Sequence, residues 1–287
     1  MRHFLPGALL ITVLLPAFAN DNTPAPQHLE PPFWWAGMAE PQLQLLVHAP
    51  AIAGSKAELH YPGVRLLKTE TLANPNYLVL TLQLAPTVRP GGFEIRFRDQ
   101  ATGRLRYRYP YRLLQREPQS AQRQGFGAQD VILNLVPDRF ANGNPDNDRI
   151  AGYADHVDRS DDGGARHGGD IDGIRAHLDY IQRMGYTMIW PTPMLENNMP
   201  RYSYHGYAAT DLYRIDPRFG SNEDYRQLVQ AARQRGIGMI QDVVLNHIGS
   251  HHWWMQDMPA PDWLGFQGKF VPPRHARTTL SDRYAAA

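Results

Sequence analysis

Residues 221–236, SNEDYRQLVQAARQRG, run directly into residues 237–254, IGMIQDVVLNHIGSHHWW. The first segment predicts a helix. Ser221 and Asp224 have capping-box-like spacing, with Asp in place of the usual Glu, and Tyr225, Leu228, Val229 and Ala232 form one apolar stripe. Arg233 and Arg235 suit the last turn, and Gly236 suits the left-handed residue that closes a helix. The second segment predicts a strand that begins at once and carries Asp242 inside an apolar run. An ionised carboxylate is costly inside a protein unless it is paired, hydrogen-bonded or neutralised. Asp242 therefore has a local partner or faces a polar pocket; a strand end with a capping Asp and a solvated His is the plain alternative.

The same grammar extends upstream. Residues 130–136, DVILNLV, read as a compact buried strand, and Ile171, Ile174, Leu178 and Ile181 share one face of a helix that Gly185 closes. The strand YTMIWPTPM follows at 186–194. Buried strands alternating with glycine-ended helices, in the order β-α-β-α-β, indicate parallel α/β architecture. An open doubly wound sheet and a (β/α)8 TIM barrel compete. No GxGxxG or Walker loop sits on a strand-to-helix turn, which weakens the nucleotide-binding sheet. Polar residues gather after each strand, in DRFANGNPDND, in PTPMLENN to HGYAATD and in NHIGSHHWW. A barrel builds its active site from such strand ends.

From about residue 40 to 115 the period is two. Leu43, Leu45 and Val47, then Leu78 to Leu84, then Phe93, Ile95 and Phe97 alternate with polar neighbours; DQATG turns the chain into Leu105, Tyr107, Tyr109 and Tyr111. Half-buried antiparallel strands of this kind predict a small β-sandwich, immunoglobulin-like in its layout. At the N-terminus, Arg2 and His3 precede a short apolar stretch interrupted by Pro6 and Pro16 and ending in Ala17-Phe18-Ala19. This predicts a secretory signal peptide over residues 1–19, not a spanning helix, and hence export to the periplasm or the medium. The expected organisation is a signal peptide (1–19), a β-sandwich (20–120) and the first strands and helices of a barrel (125–287). With 29 basic and 28 acidic residues, net charge +1 and no block of like charge, the chain offers nothing that nucleic acid or, after signal cleavage, a membrane surface would attract. It has no cysteine, which removes disulfides, thiol chemistry and thiolate metal sites.

Three segments, in this order at the expected strand ends, resemble the α-amylase superfamily of glycoside hydrolases (family 13), in particular its cyclomaltodextrinase and neopullulanase branch. DVVLNH is similar to the motif that ends barrel strand three, VPDRFANGNPDND to the strand-one motif with its metal loop, and YHGYAATDLYRIDPRFGSNEDYRQLV to the segment from strand two into the second helix. The resemblance implies that Asp242 and His247 hydrogen-bond the sugar ring whose bond is cleaved, and that Tyr207 stacks on it, with His205 a weaker candidate. A carboxylate and an imidazole fixed by one strand suit adjacent hydroxyls. Asn246 is left open between a supporting and a calcium-linked role. Trp253 and Trp254 read equally as a sugar platform or as local core.

The loop FANGNPDND reads on its own as a hard-cation site, since Asn142, Asn144, Asn147 and Asp148 offer oxygens and calcium takes about six to eight. An Asx-turn loop that satisfies its own backbone is the plain alternative. The resemblance adds Asp170 and the backbone oxygen of Gly168, from HGGD at 167–170, and implies bound Ca2+. Many relatives have Asp where Asn144 stands, so reduced affinity is expected.

Retaining glycosidases need a nucleophile and a general acid about 5 Å apart. The resemblance places these on barrel strands four and five, and no residue of this chain takes either role, so no catalytic residue is assigned. The expectation is the N-terminal part of a longer retaining enzyme, inactive alone, from a parent that cleaves α-1,4 and some α-1,6 bonds of maltodextrins, cyclodextrins or pullulan. The sandwich would shape the cleft or a homodimer contact. The rival readings are a non-catalytic carbohydrate-binding protein and an α-glucan transglycosylase.

Overall fold

A computed structural model describes residues 23–160 and 163–265. The predicted signal peptide lies outside the described residues.

The alternating segments build two packed four-stranded sheets. Their strands are β1 (His28–Glu30), β2 (Trp34–Trp35), β3 (Gln42–His48), β4 (Ser55–Leu59), β5 (Val64–Thr71), β6 (Tyr77–Leu84), β7 (Gly91–Asp99) and β8 (Leu105–Leu114). The sheet orders are β1-β3-β6-β5 and β2-β8-β7-β4. Period-two spacing puts alternate residues on one face, and register fixes which ones meet: Leu43, Leu45 and Val47 lie opposite Leu82, Leu80 and Leu78, all six in the core. On the facing sheet Phe93 pairs with Tyr111, and Phe97 and Ile95 are fully buried. The pairing is antiparallel except at β2, which runs parallel to β8, contrary to the all-antiparallel expectation. The chain reaches that edge from the opposite sheet, not through a hairpin, so nothing forces it to reverse.

The second unit is a three-stranded parallel sheet of β9 (Ile132–Leu135), β10 (Met188–Pro191) and β11 (Gly238–Met239), with β10 in the centre. Helices α1 (Pro137–Phe140), α2 (Ile171–Ala176) and α3 (Leu178–Arg183) lie between β9 and β10, and α4 (Asn222–Gln234) between β10 and β11. Ile171, Ile174, Leu178, Ile181, Ile189, Leu228 and Ala232 are fully buried in its core, which is separate from that of the sandwich. Among the described residues no helix is long and apolar enough to cross a membrane.

Three further expectations need correction. The helix predicted over 171–181 is two helices broken at His177, whose ring Nδ1 bonds the Gly173 carbonyl at 2.7 Å. That is the carbonyl the His177 amide would use in a continuous helix, so the amide turns to Ile174 instead. The run 130–136 is not wholly buried, because β9 pairs only with β10 among the described residues and Val131 is 51% exposed. Nor is DVVLNH a paired strand. The Ile240 amide still bonds the Ile189 carbonyl at 2.9 Å, but among the described residues β11 has a neighbour on one side only, and Leu245 stands 94% exposed.

The N-terminus of α4 forms as expected. Ser221 Oγ accepts the Asp224 amide at 3.1 Å, and Asp224 Oδ2 accepts the Ser221 amide at 2.8 Å. Gly236 closes the helix at φ 72. Ser221→Ala is expected to cost about 1 kcal/mol in urea unfolding. Hydrogen bonds from Ser221 hold the Asp224 carboxyl below its ordinary range. The cap's contribution should thus be present above about pH 4 and fade as pH falls through the lowered value, so the wild-type advantage over the variant shrinks in acid.

Candidate functional site

Parallel pairing brings the C-terminal ends of β10 and β11 to the same edge of the sheet. Trp190 leaves β10 there, 39% exposed, and Asp242 follows two residues after the last backbone bond between the strands. Asp242 Oδ2 accepts the Trp190 indole Nε1–H at 3.1 Å and the Tyr207 hydroxyl at 3.1 Å. Among the described residues no donor reaches Asp242 Oδ1. The acid predicted to sit inside a strand is half-buried at the lip of the sheet and anchored through one oxygen.

Tyr207 is presented by a loop that admits only glycine before it. Gly206 has φ 82, and a Cβ there would lie 1.8 Å from the Pro193 carbonyl oxygen. His205 Nδ1 accepts the Tyr207 amide at 2.9 Å, and the two rings meet at 5.7 Å. Burial lowers the His205 pKa, which favours the neutral, accepting ring. Burial, and then the bond to Asp242, pushes the Tyr207 phenol up.

His247 Nε2 lies 2.9 Å from the Tyr207 carbonyl, which can only accept, so the proton is on Nε2. Its Nδ1 then accepts Asn246 Nδ2 at 3.1 Å. The Tyr207 carbonyl thus sets the tautomer of His247, and Asn246 bonds the other ring nitrogen, as a supporting residue would. Both ring nitrogens of His247 are engaged, so in this arrangement it holds the Tyr207 loop; a sugar hydroxyl would have to replace one partner.

The four residues expected to bind substrate, His205, Tyr207, Asp242 and His247, therefore form one cluster, to which the structure adds Trp190. Sequence reasoning treated Trp190 as part of a buried strand; its place as the last large residue before a Pro-rich loop was the available signal. Trp253 is not free to act as a platform, being stacked on His28 at 3.9 Å with an interplanar angle of 1°. Trp254 meets Trp263 edge-on at 4.9 Å. A separate groove of about 1070 Å³ between the sandwich and α4, lined by Phe33, Trp35, Met38, Tyr109 and Arg112 among others, shares no residue with the cluster.

The loops are held by buried ion pairs that sequence reasoning missed. Arg218 bonds both Asp216 oxygens, at 2.9 and 2.7 Å, and also the carbonyls of Asp155 and Asn197. Burial alone would raise the Asp216 pKa, but the Arg218 hydrogen bonds and the Arg166 and Arg218 charges outweigh it and hold Asp216 ionised. Asp138, fully enclosed after β9, pairs with Arg139 and Arg166 and accepts the amides of His167 and Gly168 at 2.8 and 3.2 Å.

The oxygen-rich loop divides into two parts. Asp170 is saturated by four N–H donors, from Gly143, Asn144, Asn147 and Gly173. Asn144 caps its own turn by accepting the Asp146 amide at 3.2 Å, as in the Asx-turn alternative. Asn142 Nδ2 bonds both Asp148 oxygens, at 2.8 and 3.0 Å, beside Gly168. The amide oxygens of Asn142 and Asn147 are buried with no hydrogen-bond partner. Orphaned buried acceptors beside a carboxylate fit a hard cation, so Asn142, Asn147, Asp148 and the Gly168 backbone suit one, whereas Asn144 and Asp170 are committed elsewhere.

Residues 134–264 match the sequence model of the alpha amylase catalytic domain, and residues 28–117 that of the cyclomaltodextrinase N-terminal domain. Over these two segments the chain is similar to the α-amylase family. It is 40% identical over 141 residues to the beta/alpha-amylase of Paenibacillus polymyxa, a match that covers 48% of this chain and 12% of that protein. It is 38% identical over 130 residues to the periplasmic alpha-amylase of Escherichia coli K12 (42% and 19%), and 35% identical over 128 residues to neopullulanase 2 of Thermoactinomyces vulgaris (45% and 21%). The aligned parts thus span at most about a fifth of these relatives. The α-amylase match contains the whole Trp190–His247 cluster, and the cyclomaltodextrinase match coincides with the sandwich.

Proposed function

We propose that the protein is an exported α-glucan hydrolase of the cyclomaltodextrinase and neopullulanase type, acting with retention on maltodextrins, cyclodextrins or pullulan. In this reading the sandwich is immunoglobulin-like, and the parallel sheet opens a (β/α)8 barrel. Asp242, Tyr207, His247 and His205 would line the sugar subsite. The observation that carries the reading is the free Asp242 Oδ1. Trp190 and Tyr207 fix the carboxylate through Oδ2, which leaves the other oxygen to accept a sugar hydroxyl while the exposed Tyr207 ring offers a face to the pyranose. Retaining cleavage also needs two carboxylates about 5 Å apart. Among the described residues no second carboxylate hydrogen-bonds into the cluster, so we assign neither role here.

The 287-residue chain should bind maltoheptaose in titration calorimetry without releasing reducing sugar. Asp242→Ala should weaken binding about tenfold or more, the usual effect of removing a charged hydrogen-bond acceptor. Unchanged affinity in this variant would place the sugar elsewhere, and release of reducing sugar would show that the chain has its own nucleophile and acid.

The structural cation of this reading is Ca2+, held by Asn142, Asn147, Asp148 and the Gly168 backbone, with Asn144 and Asp170 supporting the loop. When bound it would supply charge to satisfy the orphaned amide oxygens. EDTA should lower the melting temperature and added calcium should restore it, while Asn147→Ala should abolish that response. A melting temperature indifferent to both reagents would remove the site.

A further inference from the structure

Residues 247–258 join two places that have no other reason to share a segment. At one end His247 bonds the Tyr207 carbonyl, and the Gly249 amide bonds the Ala209 carbonyl at 2.8 Å. Gly249 is buried so tightly that a Cβ would lie 2.5 Å from the Ala208 oxygen. Consecutive turn bonds then stiffen the segment, from the His252 amide to Gly249, from Met255 to His252 and from Gln256 to Trp253.

At the other end the segment is fastened to the sandwich. Trp253 lies flat on His28 of β1 and borders His48 and Tyr77 at 5.1 and 6.0 Å. The Asp257 carboxylate takes His48 Nε2 and Asn76 Nδ2, each at 2.8 Å, as well as Asn74 Nδ2. Its carbonyl accepts the Tyr77 hydroxyl, and the next two carbonyls, of Met258 and Pro259, accept Asn74. Three elements of one sandwich end, β1, β3 and the turn into β6, thus grip a loop whose other end holds the sugar cluster.

We propose that Asp257 and Trp253, docked on His28, His48, Asn74, Asn76 and Tyr77, are positioning residues that set the place of His247 and, through it, of Tyr207. The sandwich then works as a support for the sugar site, and docking and glucan binding are thermodynamically linked. The assignment of the ligand as glucan rests on the function proposed above; the positioning itself does not.

The test uses the whole chain and two readouts: the imidazole 15N resonances of His247 without ligand, and the dissociation constant for maltoheptaose. Asp257→Ala and His28→Ala, neither of which touches the sugar cluster, should each shift the His247 resonances and weaken maltoheptaose about tenfold, within the usual range of coupling between sites. His28→Phe keeps a flat ring under Trp253 and should restore both. Backbone amide spectra establish that each variant is folded, and near-UV circular dichroism reports the Trp253 stack. Folded variants that lose the stack yet keep wild-type His247 resonances would overturn the inference. If wild-type protein binds no maltoheptaose, the functional reading fails and the His247 resonances still decide this one.

Discussion

Parallel strands end on the same side, and the candidate site depends on that constraint. Residues that leave β10 and β11 are delivered to one edge, so an indole from the first and a carboxylate from the second meet without any long loop having to fold correctly. The loop with His205 and Tyr207 is then fitted to an Asp242 already oriented by Trp190. Side chains fixed in this way need little reordering when a ligand arrives. The remaining oxygen of Asp242 has a defined direction because its partner oxygen carries two donors.

The loops around the site are polar, and their conformation is held by charges taken out of water. Arg218–Asp216 and Arg166–Asp138 are fully enclosed, and each carboxylate also accepts backbone amides. Burying ions is favourable only when hydrogen bonds replace the lost water on most of their lone pairs and protons. That requirement makes these pairs demanding of geometry, and so they specify one loop arrangement. The sandwich contributes a second anchor through Asp257, so the described part of the second unit is held from its own core and from its neighbour.

How much was legible depended on the range of the signal. The cap of α4 and its closing glycine are local and form as read, and of its apolar stripe Tyr225, Leu228 and Ala232 pack in the core, whereas Ala231 packs there and Val229 does not. The alternation that placed Leu43 to Val47 opposite Leu78 to Leu82 was readable because period two does not depend on context. His177 was harder, because an imidazole competing for a backbone carbonyl looks in sequence like any helical polar residue. Trp190 was misplaced because strand-end aromatics are exposed or buried according to what covers the sheet. The pairing of His48 with Asp257, 209 residues apart, left no mark in either segment. The cation loop was legible as a collection of oxygens, but which of them are free depended on Asp170 drawing in four N–H donors.

If Asp242 holds a sugar, glucan binds at the edge of the parallel sheet. The most direct measurement follows the indole 15N–H resonances of the six tryptophans while maltoheptaose is titrated into the chain. Trp190 should move along the binding isotherm, since its indole proton is bonded to the carboxylate proposed to receive the sugar, while Trp34 and Trp35 of the sandwich stay in place. A stationary Trp190 with shifting Trp34 or Trp35 would put the ligand on the sandwich and contradict the account.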